Sequence, residues 1–121
     1  MKAELKNYRQ SPRKVRLVAN LVKGLSISQA LTELDFLAKR AALPLQKLVK
    51  SAVANAVKND GQNEANIENS LIIKNITVDK GITLKRFMPV SRGSAHPIHK
   101  HTSRVTVTLA TTGSKTLKNK K

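Results

Sequence analysis

Three histidines stand close together near the end of the chain, His96, His99 and His101. Imidazole is both a common metal ligand and the side chain that exchanges protons near neutral pH. A metal shell needs more than these three supply. The chain has no cysteine, no Asp or Glu lies beyond Asp79, and strand alternation would put only His99 and His101 on one side. The 7 acidic residues are scattered through polar stretches, and no Gly-rich phosphate loop is present. Acid–base, nucleophilic and metal catalysis therefore all lack a centre. Asp79 and Glu68 are expected to make structural ion pairs with Lys74 or Lys80. No enzyme, no metal and no cofactor is expected.

The chemistry these residues do support is phosphate binding. Against 7 acidic residues the 121-residue chain sets 23 Lys and Arg, a formal net charge of +16. Arg9, Arg13, Lys14 and Arg16 crowd one short stretch around Ser11, and no acidic residue falls between Glu4 and Glu33. From Lys80 onward come Lys85, Arg86, Arg92, Lys100, Arg104, Lys115, Lys118, Lys120 and Lys121, again without a carboxylate. Such a distribution is the footprint of a polyanion partner, with nucleic acid the first candidate. No 18-residue apolar run argues for a membrane span, and no apolar N-terminal stretch reads as a signal peptide. The only aromatic residues are Tyr8, Phe36 and Phe87. That disfavours both an aromatic-anchored membrane helix and a base-stacking reader of single strands. Recognition of backbone and shape remains.

The elements that must position these cations read as α+β: three helices packed on a small antiparallel sheet with a long protruding β-hairpin. Residues 1–112 are expected to form a single domain, with the hairpin at about 80–104 and a basic tail at 113–121. Residues 3–9 read as an edge strand. Ser11-Pro12 opens a helix, Ser11 accepting from first-turn N–H groups and Pro12 fitting the first helical position. Val15, Val18 and Val22, with Leu17 and Leu21, form its apolar stripe, and Gly24 ends it. Its first turn is rich in cations where the helix dipole disfavours them, which suits N–H groups and cations offered together to a phosphate.

Ser26 and Gln29 form a capping box, with Ser28 as the alternative cap, for a second helix that buries Ile27, Ala30, Leu31 and Leu34. Glu33 and Asp35 make it the acidic face, turned away from nucleic acid. A third helix over residues 41–59 buries Leu45, Leu48, Val49, Ala52, Val53, Ala56 and Val57. Ser51, Ala52, Ala54 and Ala56 give it a small-residue surface that admits a close neighbour, and Pro44 is tolerable in its first turn. Asn59-Asp60-Gly61 stops it, and residues 62–69 form a polar loop.

The hairpin is carried by two alternating apolar runs, 72–84 and 105–109, around a segment broken by Pro89, Gly93 and Pro97. Val105, Val107 and Leu109 share one face; Thr106 and Thr108 take the other. Arms of about 15 residues would extend roughly 50 Å, against a diameter of roughly 35 Å for a compact chain of this length. The hairpin must project. Phe87, Met88, Val90 and Ile98 offer too little apolar surface to order its end alone, so a polyanionic partner is needed. Gly81 and Gly93 would allow close backbone approach or a bulge.

These motifs resemble one family, the large-subunit ribosomal protein twenty-two family, from about Lys6 to Leu109. Ser11-Pro12-Arg13-Lys14-Val15-Arg16-Leu17-Val18 resembles its first helix, and Lys50-Ser51-Ala52-Val53-Ala54-Asn55-Ala56 its long helix. Val78-Asp79-Lys80-Gly81, Leu84-Lys85-Arg86-Phe87-Met88-Pro89, Arg92-Gly93-Ser94-Ala95 and Ile98-His99-Lys100-His101-Thr102-Ser103 resemble its hairpin. Val90 and Ser94 depart from it, standing where cations are common, and Arg104 stands where histidine is usual. The resemblance implies a structural protein of the large ribosomal subunit that binds and bridges rRNA during assembly. The implied partners are large-subunit rRNA, neighbouring large-subunit ribosomal proteins and the nascent polypeptide, with no membrane. The implied place is the ribosome, in the cytoplasm or in an organelle. Carried onto this chain, the RNA-binding set is Arg9, Ser11, Arg13, Lys14, Arg16, Lys85, Arg86, Arg92, Lys100, His101, Thr102 and Arg104. The resemblance also implies that the hairpin tip, Met88, Pro89, Val90, Ser91, Arg92, Gly93, Ser94 and Ala95, lines the nascent-peptide exit tunnel. A DNA-compacting or general RNA-chaperone protein would share the charge but show no preference for one structured RNA.

Overall fold

Alternation at 105–109 builds the central strand of the molecule. In the computed structural model, which describes residues 1–60 and 70–111, Val105, Val107 and Leu109 are buried while Thr106 and Thr108 are only partly so. They lie on β5 (Ser103–Thr111), flanked by the antiparallel strands β1 (Lys2–Tyr8) and β2 (Leu71–Lys80) in the order β1-β5-β2. Ala3 faces Val107, and Ile76 and Val78 face Val107 and Val105, so one sheet face is a continuous apolar surface. Near the end of β1 the register shifts between Leu5 and Tyr8. There Asn7 takes a φ of 53°, a left-handed conformation that Asn tolerates.

Three helices cover that face: α1 (Pro12–Val22), α2 (Ile27–Phe36) and α3 (Ala42–Asp60). The core is their shared interior, with Val15, Val22, Ile27, Leu45, Val49, Ile73, Val105 and Val107 almost wholly removed from solvent. On α3 the fully buried Ala52 and Ala56 allow close packing on β1, whereas Ser51 and Ala54 face outward. Pro44 sits in the first turn of α3, where its missing N–H costs nothing. Asp35 of α2 accepts from the buried Gln46 of α3, tying the two helices together.

Two expectations for α1 need correction. Leu17 and Leu21 are not part of the buried stripe; they are largely exposed, and Ala19 is buried with Val15, Val18 and Val22 instead. The valine face is the one covered, because α1 packs on β2 and β5 of the sheet and on α2. Nor does the Ser11 side chain cap the helix: the N–H groups of Lys14 and Val15 bond its carbonyl at 3.1 and 3.2 Å. Ser26, by contrast, caps α2 by accepting from the Gln29 N–H. Between α1 and α2, Gly24 (φ +86°) lets the chain turn along the outer edge of β2. Gly24 N–H donates to Ile73 O at 2.9 Å, and Ile73 N–H to Leu25 O at 3.0 Å, so that edge is paired.

The long hairpin is two sheets, not one. Strands β3 (Leu84–Pro89) and β4 (Ala95–Lys100) form a separate two-stranded sheet, and the expected single run over 72–84 is broken at Gly81-Ile82-Thr83. The break is built by side chains. A Cβ on Gly81 would lie 2.4 Å from Thr102 Oγ1, Gly81 N–H donates to Thr102 O at 2.8 Å, and Thr102 Oγ1 donates to Ile82 O at 2.7 Å. Beyond this joint nearly every residue of β3 and β4 is exposed. Six-residue arms extend about 20 Å, so the freely projecting part is shorter than the whole of the apolar runs suggested; the remainder pairs in the body. Pro97 does not interrupt the hairpin but lies inside β4 opposite Phe87, as an unshared strand edge permits. The polar loop at 62–69, Glu68 and the tail at 113–121 lie outside the described residues.

Candidate nucleic-acid interface

The cations near the start of the chain and those near its end meet at the root of the hairpin. Arg9 and Ser11 lie between β1 and α1, Lys14 lies in the first turn of α1, and His99, Lys100 and His101 lie where β4 ends. Together with Thr102 and Leu84 they line an open cleft of about 630 Å³. Arg40, from the α2–α3 connection, completes its basic wall. Among the described residues no acidic side chain lines the cleft, so positive potential there is reinforced rather than cancelled. Polyvalent anions of backbone spacing are what such a site can hold.

Arg40 was not among the sequence-expected residues. Its only signal is the Lys39-Arg40 pair between two helices, and the nearby Glu33 and Asp35 suggested a face turned from nucleic acid. Tyr8 holds this connection in place. Its hydroxyl donates to Gln10 Oε1 at 2.7 Å and lies 3.2 Å from Arg40 O, so one O–H is shared between them. Burial raises the Tyr8 phenol above its ordinary pKa, with Arg40 opposing; the group therefore stays protonated as a donor at neutral pH.

Other expected residues are placed differently. Arg13, Lys85 and Arg86 are exposed but do not line the cleft, and Arg86 Nη1 donates to Lys85 O at 2.7 Å. Arg16 grips the body: its Nε and Nη2 both donate to Val78 O, at 3.0 and 2.8 Å, clamping α1 to β2. Thr102 is buried and spent on the joint with Gly81 and Ile82. Arg104 pairs with Glu4 across β5 and β1. With Lys6, Asn7, Lys80, Gly81 and Ile82 it lines a second basic groove of about 410 Å³. Asp79 makes no ion pair with Lys74 or Lys80 among the described residues.

One consequence is measurable. Arg16→Met keeps the aliphatic stem but removes both donors to Val78 O, and hydrogen bonds from a charged, partly exposed donor are worth about 1–2 kcal/mol. Urea unfolding is expected to show that loss, whereas Arg13→Met should change stability by less than about 0.5 kcal/mol. Equal effects would show that the clamp carries no stability.

The tip is a tight closure. Val90 N–H donates to Ser94 O at 3.0 Å and Ser94 N–H to Ser91 O at 3.3 Å, enclosing a single 3-10 turn, Ser91–Gly93. Arg92 (φ 59°) and Gly93 (φ 69°) are both left-handed, and the Arg92 side chain stands exposed at the end. Met88, Pro89, Ser91, Ser94 and Ala95 are exposed around it, with Val90 partly covered. The His99 and His101 rings lie side by side at a tilt of 34°, their centroids 6.4 Å apart. Among the described residues no three His, Asp or Glu side chains cluster as a metal site would require.

The family model described as Ribosomal protein L22p/L17e matches residues 3–110. "Large ribosomal subunit protein uL22" of Myxococcus xanthus is 47% identical over 109 residues, covering 89% of this chain and 93% of its own length. The protein of the same name from Desulfotalea psychrophila is 46% identical over 104 residues, covering 86% and 91%. That from Flavobacterium psychrophilum is 49% identical over 109 residues, covering 88% and 77%. A match over nearly every described residue, with relatives this similar over most of their length, means that the chain belongs to the Ribosomal protein L22p/L17e family.

Proposed function

We propose that this chain, a structural and non-catalytic protein of the large ribosomal subunit, fastens ribosomal RNA at the root of its hairpin and sends the tip into the peptide exit tunnel. The observation that carries the reading is the cleft, where cations from three stretches far apart in sequence converge with no carboxylate of the described residues among them. An A-form duplex hides its base edges in a deep narrow groove, so contacts fall on phosphates and 2′-hydroxyls. Each phosphate neutralised releases counterions, which makes affinity steeply salt-dependent. The second groove, at Lys6 and Lys80, gives a site for another RNA segment and hence a means of bridging. Arg13, Lys85 and Arg86 extend the basic surface beside the cleft and along the finger. The exposed tip, Met88 to Ala95, would then form part of the tunnel wall met by the nascent polypeptide.

Two measurements test this. Large-subunit rRNA should outcompete duplex DNA for the full chain at about physiological salt; equal competition would favour a general nucleic-acid compactor instead. Removing residues 88–95 should leave rRNA affinity within about threefold, because the cleft is untouched, while abolishing cross-links between stalled nascent chains and this protein. A binding loss as large as that of a cleft variant would refute the division of labour between root and tip.

A further inference from the structure

The first helix carries two leucines that the core does not use. Leu17 and Leu21, one turn apart, are 68% and 60% exposed. With Val18, Leu37 and Ala41 they floor a groove of about 300 Å³ whose rim is Lys14, Lys39 and Arg40. Among the described residues no acidic side chain lines it. A ribose-phosphate strand would satisfy the rim but has no bulky apolar group for the floor. A wholly apolar occupant would cover the leucines and strip water from the cations without replacing it, which is costly. The two requirements are met together by a peptide.

We propose that this groove docks a partner protein through a short segment bearing one or two bulky apolar side chains flanked by Asp or Glu. The apolar side chains fill the floor between α1 and the segment leading into α3, and the carboxylates reach the rim. Lys14 and Arg40 also line the phosphate cleft, so they form a ridge between an RNA site and a protein site. Lys39 lines the apolar groove and not the phosphate cleft, and that makes it the residue that separates the two.

The test uses the full chain assembled into large subunits, with Leu21→p-benzoylphenylalanine as the photoprobe and Leu17→p-benzoylphenylalanine as a second probe should the first fail to assemble. The same probe at the exposed Ser51 on α3 is the background. The expected result is an adduct on a protein segment whose cross-linked residue is apolar and lies within about three residues of an Asp or Glu. Adding Lys39→Glu should cut that adduct about threefold or more by turning an attraction into a repulsion. The same change should move the full chain's affinity for large-subunit rRNA by less than about threefold. Adducts on rRNA, on a second copy of this chain or on a segment without acidic residues would overturn the proposal. So would a yield no higher than at Ser51, or one indifferent to Lys39→Glu.

Discussion

Replacing Arg9, Lys14 and Arg40 together by Gln will weaken binding to large-subunit rRNA roughly a hundredfold near physiological salt, and the slope of log affinity against log salt will shrink by about 2–3. Each side chain lines the same cleft from a different element, so the three act on one stretch of backbone. All three are exposed, and Tyr8 holds the main chain of Arg40 rather than its guanidinium. The fold should therefore survive, with circular dichroism unchanged. A control with the same loss of charge, Lys23, Lys47 and Lys58 to Gln, removes exposed cations that do not line the cleft. It should cost less than about fivefold, because screening confines each charge to roughly 8 Å. If both triples weaken binding alike, net charge alone governs affinity and the cleft has no special role.

The second large effect is at the hairpin root. Gly81→Ala would drive a Cβ to 2.4 Å from Thr102 Oγ1, with Thr102 C and O both at 3.3 Å. Thr102 cannot swing aside freely. It is 6% exposed, β-branched and stiff at χ1, and its hydroxyl holds Ile82 O at 2.7 Å. Relief means losing that bond or spreading the backbone, a destabilisation of about 1–3 kcal/mol. The double variant Gly81→Ala with Thr102→Ala removes the clashing oxygen, so it should be less destabilised than the sum of the two single changes. Additivity in urea unfolding would mean that the two residues do not press on each other. A second readout is hydrogen exchange. In Gly81→Ala the amides of β3 and β4 should exchange faster, while those of β5 facing β1 stay protected.

What sequence alone reveals depends on whether the partner of a residue is nearby in the chain. Val105, Val107 and Leu109 declare their face by alternation, and α2 declares its start through Ser26 and Gln29, because both signals are local. Helix α1 has apolar residues at Val15, Leu17, Val18, Ala19, Leu21 and Val22, on more than one face, and only the sheet decides which are covered. The cations show the same limit. Arg16, Thr102 and Arg104 have composition and position suited to RNA, yet each has a partner inside the protein, 62, 20 and 100 residues away. Arg40 is the converse. It looks peripheral in sequence and becomes part of the cleft because the α2–α3 connection lies beside the end of β4. The joint at Gly81 was visible as a glycine that permits close approach, but not as the boundary between two sheets.

The finger made by β3 and β4 leaves one unshared hydrogen-bonding edge on each strand, with Phe87 and Ile82 bare nearby. Before the protein reaches its RNA, those edges are templates on which further copies could stack into fibrils. Pro89 and Pro97 remove amide donors from them, and like charge on Lys85, Arg86 and Lys100 keeps neighbouring fingers apart. The second protection is conditional, since salt or a small amount of polyanion cancels it. Free protein should therefore stay dispersed at low ionic strength and precipitate when its charge is partly titrated, so that the cations proposed to hold RNA also guard the orphan subunit.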